Sequence, residues 1–283
     1  MRRCLSCSTA FSEGWCCPAC GFEPAANGYL DFVTAVGDTF PAESFELLAR
    51  VEERSFWFRA RNELIAWALS RYFPGAASFF EIGCGTGFVL RGLHERRPEL
   101  VLAGGEPFTG GLDVARSRLP EVPLYRVDGT NLPFEDEFDV VGAFDVLEHL
   151  EDDEAMLREL RRAVKPGGGL IVTVPQHPRL WSAVDDYSRH VRRYTRRELI
   201  EKLSRAGFRS IRATSFVSVL LPLIALSRRK AKEGEPYDPE TEYRLPAAVD
   251  AALERVLGAE RALIRAGLSL PTGGSLLVVA RAY

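Results

Sequence analysis

The chain has 283 residues, room for one α/β domain of about 200 residues and an appendage. Hydrophobic residues make up 46% and charged residues 27%, with a net charge of -3. That balance argues against a surface built throughout for nucleic acid, although a local basic patch stays open. Met1-Arg2-Arg3 is basic, but Cys4 and Ser6 stand where an export signal would run apolar. The expectation is a cytoplasmic protein, in a reducing compartment where cysteines bind metal more often than they pair.

Cys4-Leu-Ser-Cys7 and Cys17-Pro-Ala-Cys20 are two C-x-x-C knuckles separated by nine residues. Each lets two thiolates reach one ion from a tight turn, and together they complete a tetrahedral four-sulfur set, the geometry zinc prefers. The competing reading is a redox or disulfide pair. Cys16 stands beside Cys17 as an alternative ligand. A closed four-thiolate site has no open position, so the expected zinc is structural and stabilises a segment too short to fold alone. The ribbon is set at residues 1–26, with 22–41 as linker. Residues 42–74 read as a helical cap in which Leu47, Leu48, Val51, Leu64, Ile65 and Leu69 recur near a helical period, and Pro74-Gly75 ends it.

From residue 75 onward strands and helices alternate. Strands are expected at Ser78–Ile82, Val101–Gly105, Leu124–Val127, Phe138–Ala143 and Leu170–Val174, and helices at Phe88–Arg97, Leu112–Leu119 and Asp152–Val164. Such alternation implies a parallel sheet covered on both faces. Thr195-Arg-Arg-Glu198 is a capping-box pattern opening a helix to Gly207. Phe208–Val217 and Ser275–Arg281 read as closing strands. Between them lies an insertion, about 218–270, with an apolar stretch, a polar loop (Arg228–Arg244) and a helix from about Pro246 to Ala266.

Glu81-Ile-Gly83-Cys-Gly85-Thr-Gly87 joins the first of these strands to its helix. Alone, such a turn suits a dinucleotide pyrophosphate or a plain tight connection. Its G-x-G-x-G spacing departs from the dinucleotide fingerprint. Glu81 would face an amino group and repel a pyrophosphate, and Glu106, 19 residues past Gly87, is placed to accept from a ribose diol.

These residues, with Asp128-x-x-x-Leu132-Pro-Phe134 and Lys165-Pro-Gly-Gly-Gly-Leu170, resemble the class I S-adenosylmethionine (SAM)-dependent methyltransferases. The resemblance covers about residues 77–176. It implies an α/β, Rossmann-like seven-stranded sheet with an antiparallel last strand, here Ser275–Arg281. It also implies the SAM methionine part over Gly83, Gly85 and Gly87, the ribose on Glu106, and the adenine beside Asp128 and Gly129-Thr130. Asp145 joins this cofactor set. Pro107, directly after Glu106, departs from the usual pattern.

Asp145-Val-Leu-Glu148-His149 resembles the segment of methyltransferases that act on small molecules and lipids, and no Asn/Asp-Pro-Pro-aromatic motif for nucleobase amines is present. His149, His177 and His190 are the candidate bases. His149 is equally readable as bonding backbone or the cofactor edge. His190, in a segment resembling a substrate-side lid, is readable as base, substrate ligand or lid support. Arg192, Arg193 and Arg197 offer charge to an anionic substrate or are simply solvated. Ser55–Asn62 resembles the aromatic helix that caps the cofactor in these relatives, or is plain packing. Phe216–Leu226 followed by Arg228-Arg-Lys230 fits a membrane-interface helix, a buried substrate cap or a dimer contact.

The expected function is methyl transfer from SAM to an oxygen or nitrogen of a small-molecule, lipid-linked or glycan acceptor, with contact at a membrane surface left open. Two alternatives stand beside it: an RNA methyltransferase that grips RNA through the ribbon, and a non-catalytic binding protein. Against the RNA reading, residues 1–40 hold only Arg2 and Arg3 as basic side chains.

Overall fold

The structure is a computed structural model that describes residues 1–33, 37, 40–41, 43–230 and 245–283. Within the helix at 221–230, the side chains of 225 and 227–230 are not described. The basic cluster expected at Arg228–Lys230 and most of the polar loop after it therefore lie outside the described residues.

Two short hairpins open the chain. β1 (Arg2–Arg3) pairs with β2 (Ala10–Phe11), and β3 (Ala25–Ala26) pairs with β4 (Leu30–Asp31). The second hairpin falls in the segment expected to be a linker. Instead β4 runs parallel to β7 (Leu124–Arg126) and extends the central sheet. The Asp31–Arg126 ion pair at 2.8 Å fixes that register, which no local pattern in the sequence announced.

The cap forms two helices, α1 (Ser44–Val51) and α2 (Phe56–Tyr72). Then come β5 (Ser78–Ile82), α3 (Phe88–Arg96), β6 (Val101–Gly105), α4 (Thr109–Arg118), β7, β8 (Phe138–Phe144), α5 (Asp153–Ala163) and β9 (Val164–Pro175). A short helix α6 (Ala183–Tyr187) precedes α7 (Arg196–Arg205), β10 (Phe208–Phe216), α8 (Leu221–Lys230), α9 (Ala247–Arg265) and β11 (Ser275–Ala282). The central sheet runs β10-β11-β9-β8-β5-β6-β7-β4-β3. β5 to β9 are mutually parallel, and β11 enters antiparallel between β9 and β10. This is the expected seven-stranded Rossmann-like order, widened at one edge by the N-terminal hairpin.

Ile82, Val141, Val172 and Val278 face α5 and α7, while Phe79, Ile171 and Leu277 face α2, α3 and α9. The strands are apolar on both faces because helices cover both. No helix among the described residues is long and apolar enough to cross a membrane.

Candidate functional site

The strand order reverses between β5 and β8, and a crevice opens at the carboxyl ends of those strands, where ligands of open α/β sheets bind. The chain leaves β5 through Gly83, Gly85 and Gly87, with φ of +69°, +50° and +74°. A Cβ on Gly83 would stand 2.4 Å from Cγ2 of Val146, so backbone and the following loop meet there without a side chain between them. Gly87 caps α3, whose first amides face the crevice with the positive end of the helix dipole.

Glu106 directly follows β6 and is buried. Gly85 N–H donates to its Oε2 at 3.0 Å and Phe108 N–H to its Oε1 at 3.2 Å. Burial pushes its carboxyl up to about 7 against those two amides. Glu81 is also buried, its Oε2 has no hydrogen-bond partner, and burial holds its carboxyl well above the usual range. Asp128 accepts from the backbone N–H and the hydroxyl of Thr130, each at 2.8 Å. All three, with Gly83, Gly85 and Gly129, line one cavity, whereas Gly87 stands behind its wall at the start of α3.

The helical cap is latched onto this cradle. Glu52, at the end of α1, pairs with Arg118 of α4 at 2.8 Å and accepts from the Thr86 hydroxyl at 2.7 Å, inside the glycine turn. Arg118 also donates to the Thr86 carbonyl at 3.1 Å. Arg61 of α2 lies over Trp57, 4.7 Å from the ring centroid, and pairs with Asp145. Asp145 is thereby held at φ +57°, a conformation costly for a residue with a side chain. The aromatic helix does cover the crevice, with Phe56, Trp57 and Phe58 on the cavity wall.

The cavity wall also carries Glu148 and His149, on a 3₁₀ turn after β8, and His190, on the loop after α6. The Val191 N–H donates to the Glu148 carbonyl at 2.8 Å, tying loop to turn. His190 Nδ1 is 2.9 Å from Oδ1 of Asp185, which also accepts from Arg193 Nε at 2.7 Å. Burial would raise Asp185, but the His190 and Arg193 hydrogen bonds outweigh it and hold its carboxyl at about 2. Glu148 is fully buried; burial, then the neighbouring Asp145 charge, pushes its carboxyl well above the usual range. His177 is not brought to this end. Its Nε2 bonds the Thr272 hydroxyl at 2.7 Å, and it is absent from the cavity wall.

Arg193 is buried in this network, whereas Arg197 is solvated and pairs with Glu201 at 2.7 Å. Glu52 and Asp185 carry no mark in the sequence, and Glu148 and Arg61 stand in segments noted there without a role of their own. Their signal is burial of charge, which a residue string does not carry.

The cavity measures about 1060 Å³, just above the ~300–1000 Å³ usual for one small ligand, so donor and acceptor fit together. Phe45, Leu48, Val217, Leu220 and Ile224 make much of it apolar. Val217 and Leu220 of the predicted apolar stretch are buried, whereas Val219, Leu223 and Leu226 are exposed.

Away from the crevice, the Sγ atoms of Cys4, Cys7, Cys17 and Cys20 all lie within 4.8 Å of one another. Cys4–Cys20 is 3.5 Å and Cys7–Cys17 is 3.6 Å. Sulfurs at 2.3 Å from a tetrahedral ion stand ~3.8 Å apart, so the set fits zinc. Cys16 is exposed and outside the cluster. The ribbon docks on the domain: Trp15 packs on Phe32, Tyr125 and Phe134, and the Arg3 N–H donates to Pro133 O at 3.0 Å.

Comparison with known proteins agrees with this geometry. Residues 80–172 match the family described as "Methyltransferase domain". A Mycolicibacterium smegmatis protein named "Probable S-adenosylmethionine-dependent methyltransferase" is 28% identical over 179 residues, 62% of this chain and 67% of its own length. The demethylmenaquinone methyltransferase of Thermotoga maritima is 28% identical over 132 residues, 46% of this chain and 56% of its own. The chain thus spans only part of the curated relatives it matches. Among solved structures, the N-methyltransferase NodS of Bradyrhizobium japonicum, in complex with S-adenosyl-L-homocysteine, superposes with a TM-score of 0.53. It is 16% identical, over 87% of this chain and 99% of that one, a likeness of fold. The central segment of the chain is a SAM-dependent methyltransferase domain with the class I fold.

Proposed function

We propose that the protein transfers a methyl group from SAM to an oxygen or nitrogen of an apolar small-molecule, lipid-linked or glycan acceptor. The observation that carries this reading is a single cavity lined by Gly83, Gly85 and Glu106, by Glu148, His149 and His190, and by apolar side chains such as Phe45, Leu48 and Leu220. SAM supplies an already activated methyl, so the chain's task is to align donor and acceptor and exclude water. Glu106 would take the ribose diol on the lone pairs that Gly85 and Phe108 leave open. Gly83 and Gly85 would let the methionine part lie on bare backbone, with Glu81 facing its amino group. Asp128 and Gly129 would flank the adenine, and Asp145, fixed by Arg61, would close the cradle.

Asp185 orients His190 so that Nε2 points into the cavity, where it would hold the acceptor or take its proton. His149 packs edge-on against His190, ring centroids 4.8 Å apart, and would fix its orientation. Val219, Leu223 and Leu226 present apolar surface on α8 and its approach, which fits an acceptor carried on a lipid at a membrane surface.

The N-terminal segment is read as a structural zinc ribbon on Cys4, Cys7, Cys17 and Cys20. The RNA reading gains nothing from it: Arg2 stacks on Trp15 at 4.3 Å and Arg3 bonds Ser8 at 3.2 Å.

The test is transfer of labelled methyl from SAM into fractionated cell extract. Label in lipids or small solutes is expected. Label in RNA moves the protein to the RNA class, and tight SAM binding without any transfer makes it a binding protein.

A further inference from the structure

Three ligand-bearing side chains at the acceptor end fit together in a way the transfer reaction alone does not require. Glu148 is fully buried in the cavity wall, and neither carboxylate oxygen has a hydrogen-bond partner. A buried carboxylate left so is costly, and groups of this kind call for a ligand, an ion or a proton. His190 Nε2 stands 4.0 Å from its Oε1, and a ring nitrogen of His149 completes a trio whose donor atoms lie within 4.8 Å of one another.

The second observation is the hydrogen bond behind His190. Asp185 holds Nδ1 at 2.9 Å, and is itself fixed by Arg193 Nε at 2.7 Å and the Ser182 N–H at 2.8 Å. That bond places the proton on Nδ1 and turns the lone pair of Nε2 into the cavity, the carboxylate–histidine arrangement that supports metal-ligating imidazoles. The backbone fixes the trio as well. Glu148 and His149 share one turn, and the Glu148 carbonyl accepts from the residue after His190.

We propose that Glu148, His149 and His190 bind a divalent transition-metal cation, with its remaining positions open to the cavity. Two imidazoles and one carboxylate suit ions such as Mn²⁺, Fe²⁺, Co²⁺ or Zn²⁺ over the oxygen-seeking Mg²⁺ and Ca²⁺. Ligands at about 2.1 Å from such an ion stand ~3.0–3.4 Å apart, so closure needs side-chain movements of about an ångström. The ligand class this adds is an acceptor with one or two oxygens able to coordinate: a phenol, an enol, a vicinal diol or a hydroxy acid. Coordination would hold the accepting oxygen and lower its pKa, leaving a nucleophile at neutral pH. The metal site stands on the trio itself and holds whether or not the acceptor proves lipid-linked.

The experiment uses the full chain, first given one equivalent of Zn²⁺ to fill the cysteine cluster, then titrated with Mn²⁺ and followed by electron paramagnetic resonance. Mn²⁺ avoids thiolates, so the two sites read separately. One Mn²⁺ per chain is expected to bind, weakened at least 30-fold in Glu148→Gln and in His190→Ala, and about 10- to 100-fold in Asp185→Asn. Each variant is checked by its thermal melt and circular dichroism, and His149→Ala replaces any that does not fold. Absence of Mn²⁺ binding below millimolar concentration in the wild-type chain overturns the proposal. So does a Kd unchanged across the folded variants. Loss of methyl transfer with Mn²⁺ binding intact counts against the proposed function and leaves the metal site standing.

Discussion

Glu106 is the residue on which cofactor binding should turn most sharply, and its surroundings set the size of the effect. It accepts two backbone amides, from Gly85 at 3.0 Å and Phe108 at 3.2 Å, in a fully buried position. In Glu106→Gln the amide NH₂ must face one of those donors or the ribose, so at least one hydrogen bond to a charged acceptor is lost. Such a bond contributes about 1.5–3 kcal/mol, a rise in Kd of roughly 10- to 150-fold. The pH dependence is the sharper reading. With its carboxyl at about 7 in the ligand-free protein, only the ionised fraction accepts the diol. Wild-type Kd for S-adenosylhomocysteine should therefore rise, by up to about tenfold per pH unit, as pH falls below 7.

Stability moves the other way. The folded carboxyl titrates at about 7, above the 4.5 of an ordinary glutamate, so the folded state holds the extra proton, and ligand-free stability falls as pH climbs from 4.5 to about 7. Two and a half units at about 1.36 kcal/mol each make this about 3 kcal/mol. Calorimetric titrations and melts of both proteins from pH 5 to 8.5 measure the two slopes. Equal, pH-flat Kd values for wild type and Glu106→Gln would refute the placement of the ribose on this residue.

Other outcomes follow from the same geometry. Arg118→Ala leaves Glu52 buried beside Thr86 without its guanidinium, which should cost about 3–5 kcal/mol and show as a lowered melting temperature. If the cap still folds, its release should raise KM for SAM more than it lowers kcat. Gly83→Ala drives a Cβ to 2.4 Å from Val146 at φ +69° and should abolish SAM binding in calorimetry. Adding Val146→Ala removes the clash but not the backbone strain of about 1–2 kcal/mol, so recovery should be partial. In the Glu148→Gln background, which disables the Glu148–His149–His190 trio, elemental analysis should find about one zinc per chain after metal stripping and reloading with zinc alone. Adding Cys4→Ser should lose it and expose Trp15, read as a red shift of its fluorescence. Retained zinc in that variant would rule out the four-cysteine site.

The strands from Ser78 to Val174 were legible because each is a short apolar run between turn residues, and a parallel sheet buried on both faces leaves that trace. The glycine turn was legible because positive φ at three positions in five leaves little choice but glycine. Element ends were less so. The run Lys165–Gly169, expected to be a loop, lies inside β9, since Gly169 pairs with Val140 once the register has shifted past Phe138. The hairpin at Ala25–Asp31 was missed for a similar reason: two-residue strands carry no periodicity and exist only because β7 offers an open edge.

The three candidate histidines show the same division within the site. In the sequence all three were candidate bases, His149 and His177 after strands and His190 in a lid-like segment. Packing separated them: His149 and His190 meet at the cavity, while His177 turns away to Thr272. Glu148 stood within the Asp145–His149 segment that resembles small-molecule and lipid methyltransferases, with no role of its own assigned. Only its burial, with no hydrogen-bond partner for its carboxylate, marks it as functional.

The residue string alone determined what is local in the chain: the alternation of strands and helices, the glycine turn with its acidic flanks, and the two cysteine knuckles. Each is written within a few residues, where backbone preference and side-chain chemistry act directly. The tertiary structure decided which charges are stripped of water and which partners they then find: Glu52 with Arg118, Arg61 with Asp145, Asp185 with His190. Those pairings join positions from 5 to 84 residues apart. The energy of a charge depends on the dielectric and the neighbours around it, and those exist only once the chain has folded.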